Sequence, residues 1–121
     1  LVEKETRLAE ERRTVAGVFV NRLQRGMLLQ CDPTIIYGLG PNFDGNLTKA
    51  HIRDPDNTYN TYVRAGLPPG PICSPGLAAL KAAQNPEDHD YLYFVSKGDG
   101  SHHFSSNLSE HNRAVRRYQL R

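Results

Sequence analysis

Tyr91-Leu92-Tyr93-Phe94-Val95, then Lys97-Gly98-Asp99-Gly100, then His103-Phe104-Ser105, is the stretch on which the fold class turns. Aromatic and β-branched residues crowd the first run, which favours a strand. The Gly-Asp-Gly that follows is a turn signal. The third run returns as a second strand, so the stretch reads as a hairpin. Downstream, residues from about Leu108 to the end read as a helix. Upstream, Ser74-Pro75 opens a helix over Gly76 to Gln84 that must end before Pro86, with Ser74 as its cap.

Farther upstream the signals change. From Asp54 to Pro75 the chain is rich in Pro, Gly, Asn and Tyr, and Gly66-Leu67-Pro68-Pro69-Gly70-Pro71 cannot be regular structure. Thr48 is placed to cap a short turn through Ile52. Asp32-Pro33-Thr34 reads as an N-cap followed by Pro at the first helical position, with a short helix ending at Gly38 or Gly40. Leu28 to Cys31 is a short strand candidate. Leu1 to Gln24 is helical in character, with Val15, Val18, Phe19 and Leu23 on one face. A break between Thr6 and Arg13 would make it two helices, and Gly26 is the stop signal. The expected fold is α+β, with helices at both ends around a small, mainly antiparallel sheet and a long ordered Tyr/Pro-rich loop. One domain, 1–121, accommodates all of it.

Composition excludes several classes. Of 121 residues, 38% are hydrophobic and 23% charged, which suits a globular chain rather than a disordered one. No apolar run approaches the roughly 20 residues needed to cross a bilayer. The chain starts at Leu1 without Met and is already helical there, so we expect a piece of a longer protein. With 15 basic and 13 acidic residues the net charge is +2, too balanced to point to nucleic acid. Arg113, Arg116, Arg117 and Arg121 gather at the C-terminal end, where cations suit a helix dipole. Cys31 and Cys73 are free to pair, but nothing requires it, and unpaired thiols are the expected state. Five histidines invite a metal reading, yet His102 and His103 should point to opposite faces of a strand, and no HExxH spacing occurs. No GxSxG marks a nucleophilic serine.

Glu5 is the carboxylate of interest. On a helix its neighbours three and four residues away are Leu1, Val2, Leu8 and Ala9, all apolar. Glu3 has Thr6, Arg7 and polar company, and reads as solvated. A carboxyl among apolar side chains is desolvated, which suits a general acid that must keep its proton. A structural pairing with Arg12 or another arginine accounts for the same pattern, and from the pattern alone both readings stay open. The Tyr59-Asn60-Thr61-Tyr62 stretch offers amides, hydroxyls and rings of the kind that hold a sugar, or else simply covers the core.

Seven segments taken in order carry a resemblance: Val2-Glu3-Lys4-Glu5-Thr6, Val18-Phe19-Val20-Asn21-Arg22-Leu23, Gln30-Cys31-Asp32-Pro33-Thr34-Ile35-Ile36-Tyr37-Gly38, Tyr59-Asn60-Thr61-Tyr62, Gly66-Leu67-Pro68-Pro69-Gly70-Pro71-Ile72, Tyr91-Leu92-Tyr93-Phe94-Val95, and His102-His103-Phe104 with His111-Asn112. The chain resembles the YceG-like endolytic murein transglycosylases, the MltG family, along almost its whole length. The resemblance implies a lytic transglycosylase that cuts peptidoglycan glycan strands between N-acetylmuramic acid and N-acetylglucosamine and leaves a 1,6-anhydro end. It implies Glu5 as the catalytic acid/base, with no metal and no cofactor. Gln30, Asp32, Asn60 and Tyr62 are the candidates for substrate positioning. It also implies a bacterial envelope location at the outer face of the cytoplasmic membrane, an N-terminal membrane anchor and a LysM-like subdomain outside this segment. Peptidoglycan synthases are the implied partners, in terminating new strands. The residue at Cys31 is often Thr in the family. The rival reading is a non-catalytic peptidoglycan-binding module in which Glu5 is only structural.

Overall fold

A computed structural model describes residues 1–119. Its elements are α1 (Val2–Glu5), α2 (Ala9–Gln24), α3 (Asp32–Leu39), α4 (Lys49–Arg53), α5 (Leu77–Gln84), β1 (Tyr93–Ser96), β2 (His102–Ser105) and α6 (Leu108–Tyr118). The fold is α+β, as the sequence predicts, and the two strands form one antiparallel sheet. The chain divides into two compact units: Leu1 with Arg22–Ser74, and Val2–Asn21 with the chain from Pro75 onward. The division falls within α2.

The second of these units is built on α2. Val15 and Val18 are fully buried and Phe19 nearly so, as the helical spacing predicts, whereas Leu23 on the same predicted face is only half-buried. Each such side chain contributes about 1.5–3 kcal/mol by leaving water. Phe19 meets Phe94 of β1 edge-on, with ring centres 6.1 Å apart. The hairpin pairs Tyr93 with Ser105 and Ser96 with His102, and Lys97 N–H to Ser101 O closes its turn.

The first strand begins at Tyr93 rather than Tyr91, and the reason is local. The Asn21 amide donates to the carbonyls of His89 (2.8 Å) and Tyr91 (3.0 Å), so this stretch is bound to α2. His89 Nε2–H donates to Thr14 O at 2.8 Å, leaving Nδ1 to accept from Tyr91 N–H at 3.0 Å. Gly17 permits this close approach: a Cβ there would stand 2.4 Å from Glu87 O and 2.5 Å from His89 Nε2. The last helix, α6, is capped by Asn107, which accepts from Glu110 N–H at 2.9 Å. It packs on both strands, with His111 stacked on Tyr93 at 4.9 Å. The expected extension of this helix through Leu120 and Arg121 lies outside the described residues.

Two expectations fail at α5. Its N-cap is Gly76, not Ser74, and Gly76 N–H is accepted by the Glu3 carboxylate at 2.6 Å. Glu3 is therefore half-buried and ties α1 to the start of α5 instead of facing solvent freely.

In the other unit, α2 ends as Gly26 suggests. Gly26 sits at φ 70, Gly26 N–H donates to Leu23 O and Met27 N–H to Arg22 O, the paired bonds of a Schellman cap. Leu28 to Cys31 is not a strand. Gln30 adopts φ 51, which breaks extended geometry, and Gln30 N–H and Cys31 N–H both go to Thr61. The N-cap of α3 is Cys31 rather than Asp32, so Asp32 occupies the first helical turn and Pro33 follows it. The helix stops at Gly40, and Thr48 caps α4 in a capping box with His51. Cys31 is buried, and Cys73 is a half-buried free thiol, so the two do not pair.

No helix among the described residues is long and apolar enough to cross a membrane.

Candidate functional site

The segment 54–75 holds neither helix nor strand, yet its centre is buried. Two asparagines explain this. Asn57 Nδ2 donates to Ile35 O at 3.1 Å while its Oδ1 accepts from Tyr59 N–H at 3.0 Å. Three residues on, Asn60 repeats the turn: its Oδ1 accepts from Tyr62 N–H at 2.9 Å. Asn60 Nδ2 lies 3.3, 2.9 and 3.0 Å from the carbonyl oxygens of His51, Ile52 and Asp54 at the end of α4, where helical donors run out; the His51 carbonyl also accepts from Asp54 N–H. Asn60 is fully buried. Its amide is committed to shaping the loop, so burial favours a supporting role over direct contact with a ligand.

Thr61 is the next anchor. Its hydroxyl accepts from Cys31 N–H at 2.9 Å and meets Thr34 Oγ1 at 2.9 Å. These bonds bring the other three candidates of this unit together. Tyr62 O–H donates to Asp32 Oδ1 at 2.6 Å on the surface, and Gln30 is exposed beside the Thr61 tether. The left-handed backbone of Gln30 costs about 1 kcal/mol in a residue that is not glycine.

Glu5 belongs to the other unit. It is the last residue of α1 and is half-buried. Val2, one turn back, is buried as expected. Leu8 and Ala9 do not continue the stripe, because the helix breaks after Glu5 and Ala9 is exposed. Thr6 causes the break. Its hydroxyl accepts from Leu8 N–H at 3.2 Å, a local bond that competes with the helical ladder.

The sequence reading missed Glu11. This residue is only 9% exposed. Its Oε1 accepts from Thr6 O–H at 3.2 Å and from His102 Nδ1–H at 2.7 Å, and its Oε2 accepts from His102 N–H at 2.8 Å. Nothing local marks Glu11, which sits in a run of charged residues at the start of a helix. His102 and His103 do face opposite ways: His103 Nδ1 meets Ser105 Oγ and its ring lies 6.1 Å from Tyr118. Among the described residues no three His, Cys, Asp or Glu side chains gather closely enough to hold a metal ion. A cavity of about 440 Å³ in this unit is lined by Tyr91, Phe104 and Tyr118 together with Arg113, Arg117 and Glu110. The described arginines of the C-terminal group, Arg113, Arg116 and Arg117, are exposed along α6, as a helix end favours.

Comparison with known proteins places this chain. The endolytic murein transglycosylase of Bacillus subtilis (strain 168) is 42% identical over 118 residues, covering 98% of this chain and 32% of that protein. The endolytic murein transglycosylase of Streptococcus pneumoniae serotype 2 (strain D39 / NCTC 7466) is 40% identical over 119 residues, covering 95% of this chain and 22% of that protein. The chain thus spans less than a third of the length of Bacillus and Streptococcus relatives. A crystal structure of a yceG-like protein from Listeria monocytogenes superposes with a TM-score of 0.85 at 43% identity, over 93% of this chain and 36% of that one. The model of the YceG-like family matches residues 1–117, and the chain belongs to that family.

Proposed function

We propose that this chain is the catalytic segment of an endolytic murein transglycosylase. The observation that carries the reading is that relatives of that name match nearly the whole chain at 40–42% identity. The substrate is then the glycan strand of peptidoglycan, cut within its length at the bond from N-acetylmuramic acid to N-acetylglucosamine. The work belongs in the bacterial cell envelope, at the outer face of the cytoplasmic membrane, beside the synthases whose new strands it terminates. Anchoring to the membrane is assigned to parts of the protein outside this segment.

Glycosidases ordinarily use two carboxylates, but this reaction needs one. Glu5 donates its proton to the glycosidic oxygen as the bond to C1 of N-acetylmuramic acid breaks. The Glu5 carboxylate then takes the proton of that sugar's C6 hydroxyl. O6 bonds to C1 and closes the 1,6-anhydro ring, so Glu5 ends protonated as it began. Water is not consumed, and the proton balance asks for no metal or cofactor. Half-burial at a helix end suits a carboxyl that must hold a proton and still meet a ligand. Gln30, Asp32 and Tyr62 offer an amide, a carboxylate and a phenol to the sugars. Asn60 acts behind them by fixing the turn that presents Tyr62.

The test is product analysis with the full-length protein and purified glycan strands. Mass spectrometry should find fragments ending in 1,6-anhydro-N-acetylmuramic acid, and Glu5→Gln should cut turnover at least about a hundredfold while binding survives. Reducing ends carrying oxygen from labelled water would make the protein a hydrolase. Binding without cleavage by the wild type would make it a binding module.

A further inference from the structure

The buried carboxylate of Glu11 has no part in the mechanism above, yet it is bound to the residue that follows Glu5. We propose that Glu11 is a positioning residue for Glu5 and acts through Thr6; this rests on Glu5 being the acid/base group.

The helix that carries Glu5 ends at Glu5, so no following helical turn fixes its direction. What fixes the chain there is Thr6, only 4% exposed. Thr6 N–H donates to Val2 O at 3.3 Å, and Leu8 N–H donates to the Thr6 hydroxyl at 3.2 Å. Leu8 N–H can only donate, so the hydroxyl's own hydrogen is directed to Glu11 Oε1, 3.2 Å away. Glu11 is in turn held at both oxygens by His102 of β2, through Nδ1–H at 2.7 Å and backbone N–H at 2.8 Å.

A buried carboxylate is costly unless it is well paired. Here it accepts three hydrogen bonds and joins the break after α1 to α2 and to the hairpin. The arrangement sets the backbone from which the Glu5 side chain leaves. Acid catalysis is sensitive to such settings: a misplacement of about 1 Å can cost on the order of a hundredfold in rate. Every partner of Glu11 belongs to Thr6 or His102, so the role assigned to it is one of position.

The test uses the full-length protein and purified glycan strands. Thr6→Val keeps the shape and removes the hydroxyl, whereas Thr6→Ser keeps the hydroxyl. Thr6→Val should lower kcat by about tenfold or more with KM within about twofold, and Thr6→Ser should restore most of it. Thermal unfolding of the two variants should differ little. Glu11→Gln, which replaces an acceptor oxygen by an NH₂ donor, should resemble Thr6→Val if it folds. Glu5→Gln is run alongside. An active Glu5→Gln would remove the acid/base assignment and this one with it. An inactive Glu5→Gln beside a Thr6→Val with wild-type kcat would overturn this inference alone. So would a loss in Thr6→Val that Thr6→Ser fails to rescue, or one that merely follows the fraction unfolded.

Discussion

The segment 54–75 and the α2–hairpin region reach order by opposite means. In the first, side-chain amides and hydroxyls bond to backbone groups that no regular element would pair. Asn57, Asn60 and Thr61, all polar and buried, anchor its centre, and Ile72 near its end is its buried apolar side chain. In the second, helix and sheet ladders pair the backbone, and Val15, Val18 and Phe19 supply the burial. The lesson is that a loop can be as fixed as a helix when its anchors are polar. Such a loop should be more sensitive to loss of a hydrogen bond than to loss of bulk.

That contrast can be broken most directly at Asn60. Asn60→Ala takes the side-chain donor away from the carbonyls of Ile52 and Asp54, and leaves that of His51 with Asp54 N–H alone; it should cost about 3 kcal/mol in urea unfolding. Asn60→Asp, with the same shape but no donor, should be nearly as damaging. A small effect in both would show that bulk, not bonding, orders the loop. Gly17→Ala tests the other region, where close packing decides. Its Cβ would meet Glu87 O at 2.4 Å, and the strain should cost about 2 kcal/mol. A neutral result would mean that the 85–91 segment can move off α2 freely.

Gly26→Ala comes next, at about 1 kcal/mol, because the cap requires the left-handed backbone. The smallest effect is expected at Asp99 in the hairpin turn. Ser101 donates to its carboxylate through both hydroxyl and backbone N–H, and holds its pKa below the usual 3.8. A lowered folded value means that the ionised form is favoured by folding. The stability this adds is present above the ordinary carboxylate range and is lost as pH falls through the depressed value. Unfolding measured across that range should show a wild-type advantage over Asp99→Asn at neutral pH that fades in acid. An advantage that grew in acid would reverse the assignment.

How much was legible beforehand follows from the range of each signal. Gly26, Gly40, Thr48 and the Gly98-Asp99-Gly100 turn act over a few residues, and their elements begin or end within a residue or two of where the sequence puts them. The helical spacing of Val15, Val18 and Phe19 likewise gave the buried face. Leu28 to Cys31 misled because its apolar start looks like a strand, while the tether to Thr61 lies 30 residues away. Asp32 looked like a cap because its residue type favours one, but Cys31 takes that place.

What the sequence by itself determined is the α+β class, the irregular loop and, through an ordered set of motifs, the family. Those are properties of near neighbours in the chain, or of residue types in series. Tertiary structure alone decided the rest. Glu11 and His102 stand 91 residues apart, and Glu3 and Gly76 stand 73 apart. No periodicity or capping rule links such pairs. A carboxylate in a charged helical turn looks solvated until the fold closes over it and supplies donors from a distant strand. The same holds for Asn60, whose amide suits a sugar by residue type alone until the carbonyls at the end of α4 are found around it.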